Sequence, residues 1–361
     1  MEPPLTKESW NDRRVLVTGH SGFKGSWLIA WLTSLGAEVT GISLPPQHGH
    51  DLFHAAGLAS KCQSYFGDIR DAELLKLVVK EHRPEVIFHL AAQPLVRESY
   101  FRPRETFSTN VMGTLNVLEA GSYSQDLKAI LVITTDKVYR NLGNNVPFRE
   151  DDPLDGHDPY SASKAACEIA TQSWARSNLS APDVKIATAR AGNVIGGGDW
   201  AKDRLLPDAD RAFHKNQPLE IRMPHAVRPW QHVVEPLEGY LRLAQALISR
   251  DRQTLPGYNF GPGIEQCAPV QHMVEMARRI WGSPVDITVN QPKEILVEAE
   301  TLLLDSSAAS QDLQWNAMLS LEETIQATIK LYKILTSNAD YHHIYDCMIE
   351  QIGELRSAGN G

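Results

Sequence analysis

Short apolar runs alternate with longer amphipathic stretches through the first half of the chain. The apolar runs predict strands at residues 14–18, 38–43, 86–91, 129–135 and 185–191, and a further strand that ends at residues 67–68. The stretches between them predict helices at residues 25–35, 72–82, 106–120 and 160–177. Strands that are apolar along their whole length and separated by helices are typical of a parallel sheet covered on both faces. The pattern therefore predicts an α/β fold with a doubly wound parallel sheet.

The alternation ends after Gly192, where proline, tryptophan and arginine become frequent. We therefore predict a first domain over residues 1–190 and a smaller C-terminal substrate-binding lobe over residues 191–361. Residues 233–258 look helical, and a return of this segment to the first domain would mean that the boundary is not a single cut.

Composition narrows the classes of partner. The chain is 42% hydrophobic and 22% charged, as is ordinary for a globular protein, and its formal net charge is −9 without a basic block. This disfavours nucleic acid and anionic membranes as partners. No apolar run approaches the ~20 residues that span a bilayer, and the N-terminus carries no signal-peptide core. The four cysteines lie far apart, which predicts free thiols and a cytoplasmic location.

The first predicted strand leads directly into a loop with glycine at every third position. The loop consists of Gly19, His20, Ser21, Gly22, Phe23, Lys24 and Gly25. Such a loop allows a tight turn, a close approach of the backbone to a pyrophosphate, and a helix N-terminus aimed at negative charge. Ordinary strand–helix turns also contain glycines. At the first junction of an alternating chain, however, the triplet predicts a dinucleotide site and a Rossmann-like fold.

The type of dinucleotide is less clear from the residues. NAD sites often carry an acid at the end of the second strand, and here that strand ends Ile42-Ser43-Leu44. We expect Asp68, at the end of the third strand, to accept a hydrogen bond from the adenine amino group. The small residues that end the next strand would let a nicotinamide ribose lie against the sheet edge; they belong to the segment Leu90, Ala91, Ala92 and Gln93.

Two groups of residues can carry chemistry. Tyr160 and Lys164 are spaced so that they share one face of a helix, where a nearby cation would lower the pKa of the phenol and let it act as a base. Thr135, Asp136 and Lys137 end an apolar strand with a hydroxyl, a carboxyl and an amine. Oxidation needs only the Tyr–Lys pair, so the added acid–base pair suggests elimination as well. A surface ion pair between Asp136 and Lys137 remains the alternative.

Five stretches carry a resemblance to a known family. They read TGHSGFKGSW at 18–27, AAQPLVR at 91–97, TTDK at 134–137, RAGNVIGGGDW at 190–200 and RPWQHV at 228–233. Over residues 13–333 the chain resembles the nucleotide-sugar 4,6-dehydratases of the extended short-chain dehydrogenase/reductase superfamily. It is most similar to the members that act on CDP-D-glucose, because Lys24 and Lys137 are marks of that subfamily and dTDP- and GDP-sugar relatives carry Glu where Lys137 stands.

The resemblance implies a reaction and a cofactor. The family uses NAD to oxidise carbon 4 of the sugar, eliminates water across carbons 5 and 6, and returns the hydride to carbon 6. Tyr160 would take the proton of the 4-hydroxyl, Thr135 would hydrogen-bond that oxygen, and Asp136 would be the acid. Lys137 would be the base only if it is deprotonated, and would otherwise act electrostatically. Further cofactor contacts are expected from Ile69, Thr109 and Thr134.

The resemblance also implies substrate ligands in the C-terminal lobe and a dimeric assembly. The expected ligands of CDP-D-glucose are Asn193, Arg204, Leu205, Arg222, Arg228, Asn259 and Glu298. Arg228 is the best candidate for the phosphates, because its guanidinium matches two phosphate oxygens, and Arg204 and Arg222 are secondary candidates. Arg228 could instead pair with a carboxylate, and Glu298 could be a plain surface acid. Family members dimerise through a four-helix bundle, so residues 106–120 could face a partner in a homodimer or tetramer, although packing on the sheet explains their apolar face equally well. No metal is expected, because His48, His50 and His54 lack a matching ligand cluster.

Other functions remain open at this stage. A 4-epimerase needs the Tyr–Lys pair but no acid–base pair, and a dehydratase acting on dTDP- or GDP-sugars would share the mechanism. A dinucleotide-sensing regulator would typically have lost Tyr160 or Lys164. A plain ketoreductase would consume reduced cofactor.

Overall fold

The structure of the protein is a computed structural model that describes residues 5–46, 51–177, 179, 183–249, 254–290, 301–337 and 339–358. Its largest element is a seven-stranded sheet in which every neighbouring pair is parallel. The strands of the molecule are β1 Arg14–Thr18, β2 Glu38–Ser43, β3 Gln63–Phe66, β4 Val86–His89, β5 Ala129–Ile133, β6 Lys185–Ala191, β7 Asn193–Ile195, β8 Leu219–Ile221, β9 Val227–His232, β10 Gly257–Phe260, β11 Cys267–Pro269 and β12 Ile287–Val289.

The seven-stranded sheet has the order β10-β6-β5-β4-β1-β2-β3. The chain moves outward from β1 in one direction and then returns to continue in the other, which is the doubly wound arrangement. The predicted α/β class and Rossmann-like sheet are therefore confirmed. The carboxyl ends of β1, β4 and β5 lie along one edge, where ligands bind in folds of this kind.

The described helices are α1 Lys7–Trp10, α2 Phe23–Ser34, α3 Leu52–Ala55, α4 Ala72–His82, α5 Val96–Phe101, α6 Pro103–Phe107, α7 Gly113–Gly121, α8 Pro159–Arg176, α9 Leu205–His214, α10 Val234–Ile248, α11 Val270–Trp281, α12 Ser307–Leu313, α13 Leu321–Thr336 and α14 Tyr341–Ala358. Single turns of 3₁₀-helix occur at Leu58–Ser60, Asp136–Val138 and Ile264–Gln266. A π-helical turn, Ser108–Met112, joins α6 to α7.

Helices cover both faces of the sheet. One face packs against α2 and α10, with the fully buried rings of Trp27 and Trp31 in its core, and α14 packs on these two helices. The other face packs against α4 and α7, and the apolar face of α7 is used in this contact. Because both faces are covered, the strands read as continuous apolar runs in the sequence.

A second region follows β6. It contains a three-stranded sheet in the order β11-β9-β7 and a two-stranded sheet of β12 and β8. A separate apolar core is formed by residues of α9, α11 and α13. This region adjoins the carboxyl edge of the large sheet through β7, which begins two residues after β6 ends.

The structure differs from the predicted elements in three places. The helix predicted over residues 233–258 ends at Ile248, and the segment closes with β10, which pairs with β6 in the large sheet. The helix predicted at 106–120 is interrupted by the π-helical turn. The strands predicted to reach residues 91 and 135 end at His89 and Ile133, because the following residues turn toward the ligand edge.

Three further features bear on what the sequence predicts: the cysteines, possible metal ligands and the apolar length of the helices. All four cysteines are free thiols. Across the described ranges no cluster of His, Cys, Asp or Glu could hold a metal ion, and His54 instead contacts Asp51 at 2.9 Å, while His48 and His50 lie outside those ranges. No helix in the part of the chain that the structure describes is long and apolar enough to cross a bilayer.

Candidate active site

The glycine loop forms a closely packed turn between β1 and α2. Gly19 has φ +75°, and a Cβ atom there would lie 2.8 Å from the backbone nitrogen of Ala91. A Cβ at Gly25 would lie 2.1 Å from the carbonyl oxygen of Gly19. No side chain caps the N-terminus of α2, whose N-cap residue is Gly22. The uncapped N–H groups and the lack of side chains leave a cradle that fits a pyrophosphate.

The side chains of two residues of the glycine loop, His20 and Lys24, point in different directions. His20 is fully buried beneath β2, where its ring packs against Phe53 and Phe66 and its Nε2 lies 3.1 Å from Ser64. Burial lowers the pKa of His20 to about 4, so the ring is neutral. The side chain of His20 is therefore a packing group, and only its backbone belongs to the loop surface. Lys24 points to the catalytic residues described below and not to the end of β2.

The predicted adenosine end is arranged around β2 and β3. Ser21 and Ser43 are joined by a hydrogen bond of 2.7 Å between their hydroxyls. Asp68 accepts hydrogen bonds from the backbone and guanidinium of Arg70, and these contacts lower its pKa. Ile69 is buried next to Asp68. Asp68 is thus ionised and partly exposed, and it remains a candidate acceptor for a base amino group.

The segment after β4 is held against the helix that follows it. The backbone of Ala91 donates to Thr18 Oγ1 at 3.2 Å, and the backbone of Gln93 donates to Asn110 Oδ1 at 2.8 Å. Asn110 lies in the π-helical turn together with Thr109, and its amide also donates to Ser163 of α8. The π-helical turn therefore brings the segment at residues 90–93 and the catalytic helix into one hydrogen-bonded unit.

The end of β5 carries the predicted acid–base segment in a single 3₁₀ turn. Asp136 is fully buried, and its Oδ1 accepts from the hydroxyl of Thr135 at 2.9 Å and from the ammonium of Lys137 at 3.0 Å. Its Oδ2 is buried and has no hydrogen-bond partner among the described residues. A buried acceptor left unpaired costs free energy, so this oxygen is suited to a ligand donor. It faces Gly192, where an added Cβ would lie 3.3 Å away.

Tyr160 and Lys164 lie near the start of α8, and both are buried. The ammonium of Lys164 donates to the carbonyl of Ile133 at 2.9 Å, at the end of β5. Burial raises the pKa of Tyr160 to about 12, and a hydrogen bond with Thr135 and the charge of Arg204 oppose that rise. The largest influences on the phenol therefore come from burial, Thr135 and Arg204, and a lowering of the pKa of Tyr160 by Lys164 stays a prediction.

A cluster of cations surrounds these residues. Burial, together with the charges of Arg204, Lys164 and Lys137, lowers the pKa of Lys24 to about 7, and the charge of Asp136 opposes this shift. Burial also lowers the pKa of Lys164. This concentration of positive charge around one buried carboxylate can stabilise negative charge that develops on a bound sugar oxygen.

Five of the seven predicted substrate ligands belong to the second region. Asn193 begins β7 beside Gly192, Arg204 precedes α9 and donates to Asp199 at 2.7 Å, and Leu205 is the first residue of α9. Arg222 follows β8 and donates to Asp203 at 2.9 Å. Arg228 is buried in β9. Arg204 also lies near the catalytic residues, since its charge acts on both Tyr160 and Lys24.

The other two predicted ligands, Asn259 and Glu298, are not placed with these five. Asn259 is fully buried in β10; its amide accepts from the hydroxyl of Tyr139 and donates to the carbonyls of Phe148 and Asp305. These hydrogen bonds use both amide hydrogens for the protein itself, so the assignment of Asn259 as a substrate ligand is corrected to a structural role. Glu298 lies outside the described residues.

Sequence reasoning missed a buried ion pair behind the site. Glu168 and Arg190 are joined at 2.8 Å with almost no exposure of either side chain, and Glu168 also accepts from the hydroxyl of Thr134. Glu168 follows Lys164 by four residues, so both lie on the face of α8 that meets the end of β5. That spacing was the available signal.

The chain is similar to known proteins along most of its length. Residues 16–328 match the family described as GDP-mannose 4,6 dehydratase. The chain belongs to this family. A CDP-glucose 4,6-dehydratase of Salmonella typhimurium is 42% identical over 362 residues, which cover 98% of this chain and 99% of that protein. The predicted membership of the nucleotide-sugar 4,6-dehydratases is confirmed.

Solved structures with lower identity share the fold. A dTDP-glucose 4,6-dehydratase from Bacillus anthracis in complex with NAD has a TM-score of 0.75 at 21% identity, with 92% of this chain and 99% of that chain covered. A UDP-glucose 4-epimerase from Stenotrophomonas maltophila with bound NAD has a TM-score of 0.80 at 21% identity, with 91% and 100% covered. Dehydratases and epimerases thus share this backbone, and the difference between them has to be sought in the side chains.

Proposed function

We propose that the protein is an NAD-dependent CDP-D-glucose 4,6-dehydratase that forms CDP-4-keto-6-deoxy-D-glucose. The observation that carries the reaction is the Thr135-Asp136-Lys137 turn beside Tyr160, in which Thr135 and Asp136 are buried. An epimerase has no need of an acid–base pair at this place, so the turn favours elimination. The choice of CDP-D-glucose is supported by the Salmonella relative, which is similar over its whole length.

The glycine loop and the segment at residues 90–93 would hold NAD. The pyrophosphate would lie on the N-terminus of α2, where Gly19 and Gly25 leave the backbone open. Bound NAD would supply a hydride acceptor for carbon 4 of the sugar and a hydride donor for carbon 6. Because the described part of the β2 end carries no acid, we expect Ser21, Ser43 and Asp68 to form the polar contacts of the adenosine half.

The residues of this chain would divide the proton transfers. Tyr160 would accept the proton of the 4-hydroxyl, and Thr135 would hydrogen-bond the same oxygen. Asp136 would protonate the departing 6-hydroxyl through its unpaired Oδ2. Lys137 lies 3.0 Å from Asp136, so it would either remove the carbon 5 proton or stabilise the resulting enolate charge. Lys24 and Arg204 would add positive charge around the reacting oxygens.

The test is incubation of the purified protein and NAD with CDP-, dTDP-, GDP- and UDP-glucose, followed by the alkaline absorbance of a 4-keto-6-deoxysugar. We expect product from CDP-glucose without net formation of NADH. Product from another nucleotide sugar alone would refute cytosine as the nucleobase of the substrate, and it would still support the dehydratase reaction. Interconversion of 4-epimers without this absorbance would refute the dehydratase.

Three variants make the test specific to the site. Tyr160→Phe and Lys164→Ala should abolish the first oxidation. Lys137→Glu places the residue of dTDP- and GDP-sugar relatives at this position, and we expect it to impair turnover of CDP-glucose. Full activity of Lys137→Glu would show that Lys137 is incidental.

We also propose that the protein is a cytoplasmic homodimer. The free thiols agree with a reducing compartment. Exposed apolar side chains occur along the helical stretch at residues 96–121 and on α8, namely Phe101, Phe107, Met112 and Ile169. Exposed apolar side chains on neighbouring helices are typical of a protein interface. Light scattering of the protein and of an Ile169→Glu variant tests this, since a monomeric wild-type protein would refute it.

A further inference from the structure

One carboxylate oxygen binds two arginines that come from different parts of the chain. Asp203 Oδ1 accepts from Nη1 of Arg97 at 3.0 Å and from Nη1 of Arg222 at 2.9 Å. Arg97 lies in α5, after β4 of the large sheet, whereas Arg222 follows β8 of the second region. Asp203 lies between β7 and α9 with φ +63°. We call these three residues the Arg97–Asp203–Arg222 group.

The elements that carry Arg97 and Asp203 also carry residues that act on Tyr160. Ser99, two residues after Arg97, accepts a hydrogen bond from the backbone of Tyr160 at 3.1 Å. Arg204, the neighbour of Asp203, acts on Tyr160 through its charge. The side chains of Arg97, Asp203 and Arg222 are 40%, 49% and 37% exposed, so the group is open to solvent.

The arrangement is suited to an anion with more than one oxygen. Guanidinium groups match phosphate oxygens with paired N–H donors, and each arginine here spends only Nη1 on Asp203. Partly exposed ion pairs are weak and easily exchanged. A diphosphate also carries more charge and more acceptor oxygens than the single carboxylate that it would replace.

We infer that Arg97 and Arg222 bind the diphosphate of the substrate and that Asp203 is an internal anion that occupies their donors until the diphosphate displaces it. The inference rests on the proposed function, since it takes the substrate to be a nucleoside diphosphate sugar. Arg97 becomes an additional substrate ligand from the large sheet. Asp203 weakens binding, because its carboxylate must leave before the phosphates can pair with the arginines.

Calorimetric titration of CDP into the apoprotein tests the inference without turnover. Asp203→Asn keeps the size of the side chain and tolerates positive φ, and removes the competing charge. It should tighten CDP binding about fivefold, the effect of one charge at about 4 Å in a water-like medium. Arg97→Gln and Arg222→Gln should weaken it about tenfold each. All three should change CMP binding less, because CMP lacks the second phosphate.

The chain offers a matched control at the opposite edge of the large sheet. Asp126 Oδ2 also accepts from two arginines, Arg14 at 3.0 Å and Arg83 at 2.9 Å. Arg14 begins β1, far from the ends of the strands that form the site. Asp126→Asn should therefore leave CDP affinity unchanged, and a change equal to that of Asp203→Asn would overturn the inference.

Opposite effects of the Asp and Arg variants are the decisive readout. If the group were only a structural link, Asp203→Asn and Arg97→Gln would both weaken CDP binding and both lower the melting temperature; that result, or unchanged CDP affinity in Arg97→Gln, overturns the inference. If the wild-type protein prefers dTDP, GDP or UDP and the pattern appears with that nucleotide, the base assignment fails and the inference stands. If it binds none of the four, both fail.

Discussion

The buried pair of Glu168 and Arg190 allows a quantitative prediction for Glu168→Gln. Glu168 Oε2 accepts from Thr188 at 2.6 Å and from Arg190 Nη2 at 2.8 Å, and its Oε1 accepts from Arg190 Nε at 3.0 Å and from Thr134. The two side chains are 0% and 1% exposed. Glutamine has nearly the same shape, but it removes the charge and turns an amide donor toward groups that are themselves donors.

The magnitude follows from these contacts. Removing one partner of a buried pair costs about 3–5 kcal/mol, since the other charge stays buried. The two hydrogen bonds from Arg190, at about 1.5–3 kcal/mol each for a charged group, give a similar total. With an unfolding entropy of about 2.1 cal/mol/K per residue over 361 residues, a loss near 4 kcal/mol lowers the melting temperature by about 5 °C.

Calorimetry and denaturant unfolding of the wild-type and variant proteins measure this loss. The exposed pair of Lys330 and Glu350 supplies the control, because Glu350→Gln should change the free energy of unfolding by about 1 kcal/mol or less. The double variant Glu168→Leu/Arg190→Met should be more stable than Glu168→Gln, as it leaves no buried charge unpaired. A loss below about 1 kcal/mol in Glu168→Gln would refute the reasoning.

Three further predictions concern the site and the pH dependence. Gly25→Ala should abolish NAD binding in a fluorescence titration, because its Cβ would meet Gly19 O at 2.1 Å; an unchanged affinity would contradict the cradle. Asp136→Asn should slow elimination ~10²–10⁴-fold while carbon 4 oxidation, followed as single-turnover NADH absorbance, survives in part; equal loss of both steps would remove the acid assignment. Burial raises the pKa of Glu235 from 4.5 to about 7, so this residue's contribution to stability is full below about pH 4.5 and falls by about 3 kcal/mol as the pH rises through 7. Melting temperatures of Glu235→Gln at pH 5 and pH 8 should show a smaller decline than those of the wild-type protein, and an equal decline would contradict this prediction.

The strands of the large sheet could be predicted because burial on both faces writes itself into the sequence. The predicted bounds 14–18, 38–43 and 185–191 coincide with β1, β2 and β6. β10 was missed because it has only four residues and follows a long helix, so a helical continuation fitted the local pattern equally well. The two small sheets of the second region consist of three- to six-residue strands, whose signal is too short to separate from loops.

The candidate site could be predicted where its residues follow one another along the chain. The glycine loop and the Thr135-Asp136-Lys137 turn are contiguous, so their chemistry is visible in the sequence. Arg97, Asp203 and Arg222 are separated by 106 and 19 residues, and only the folded chain brings them together. Asn259 shows the reverse case, since the resemblance implied a substrate ligand there, whereas the protein itself uses its amide.

Tyr160 shows how much of a residue's electrostatics a sequence motif leaves open. Helical spacing places Tyr160 and Lys164 on one face, but spacing does not say which acceptor the ammonium finds, and here it finds the carbonyl of Ile133. Burial then dominates the phenol, and the groups that oppose it come from other elements, Thr135 after β5 and Arg204 before α9. Because Arg204 stands next to Asp203, displacement of Asp203 by a diphosphate would change the charges around the phenol that has to lose its proton. Substrate binding and activation of Tyr160 would in this way be connected through neighbouring residues of one loop.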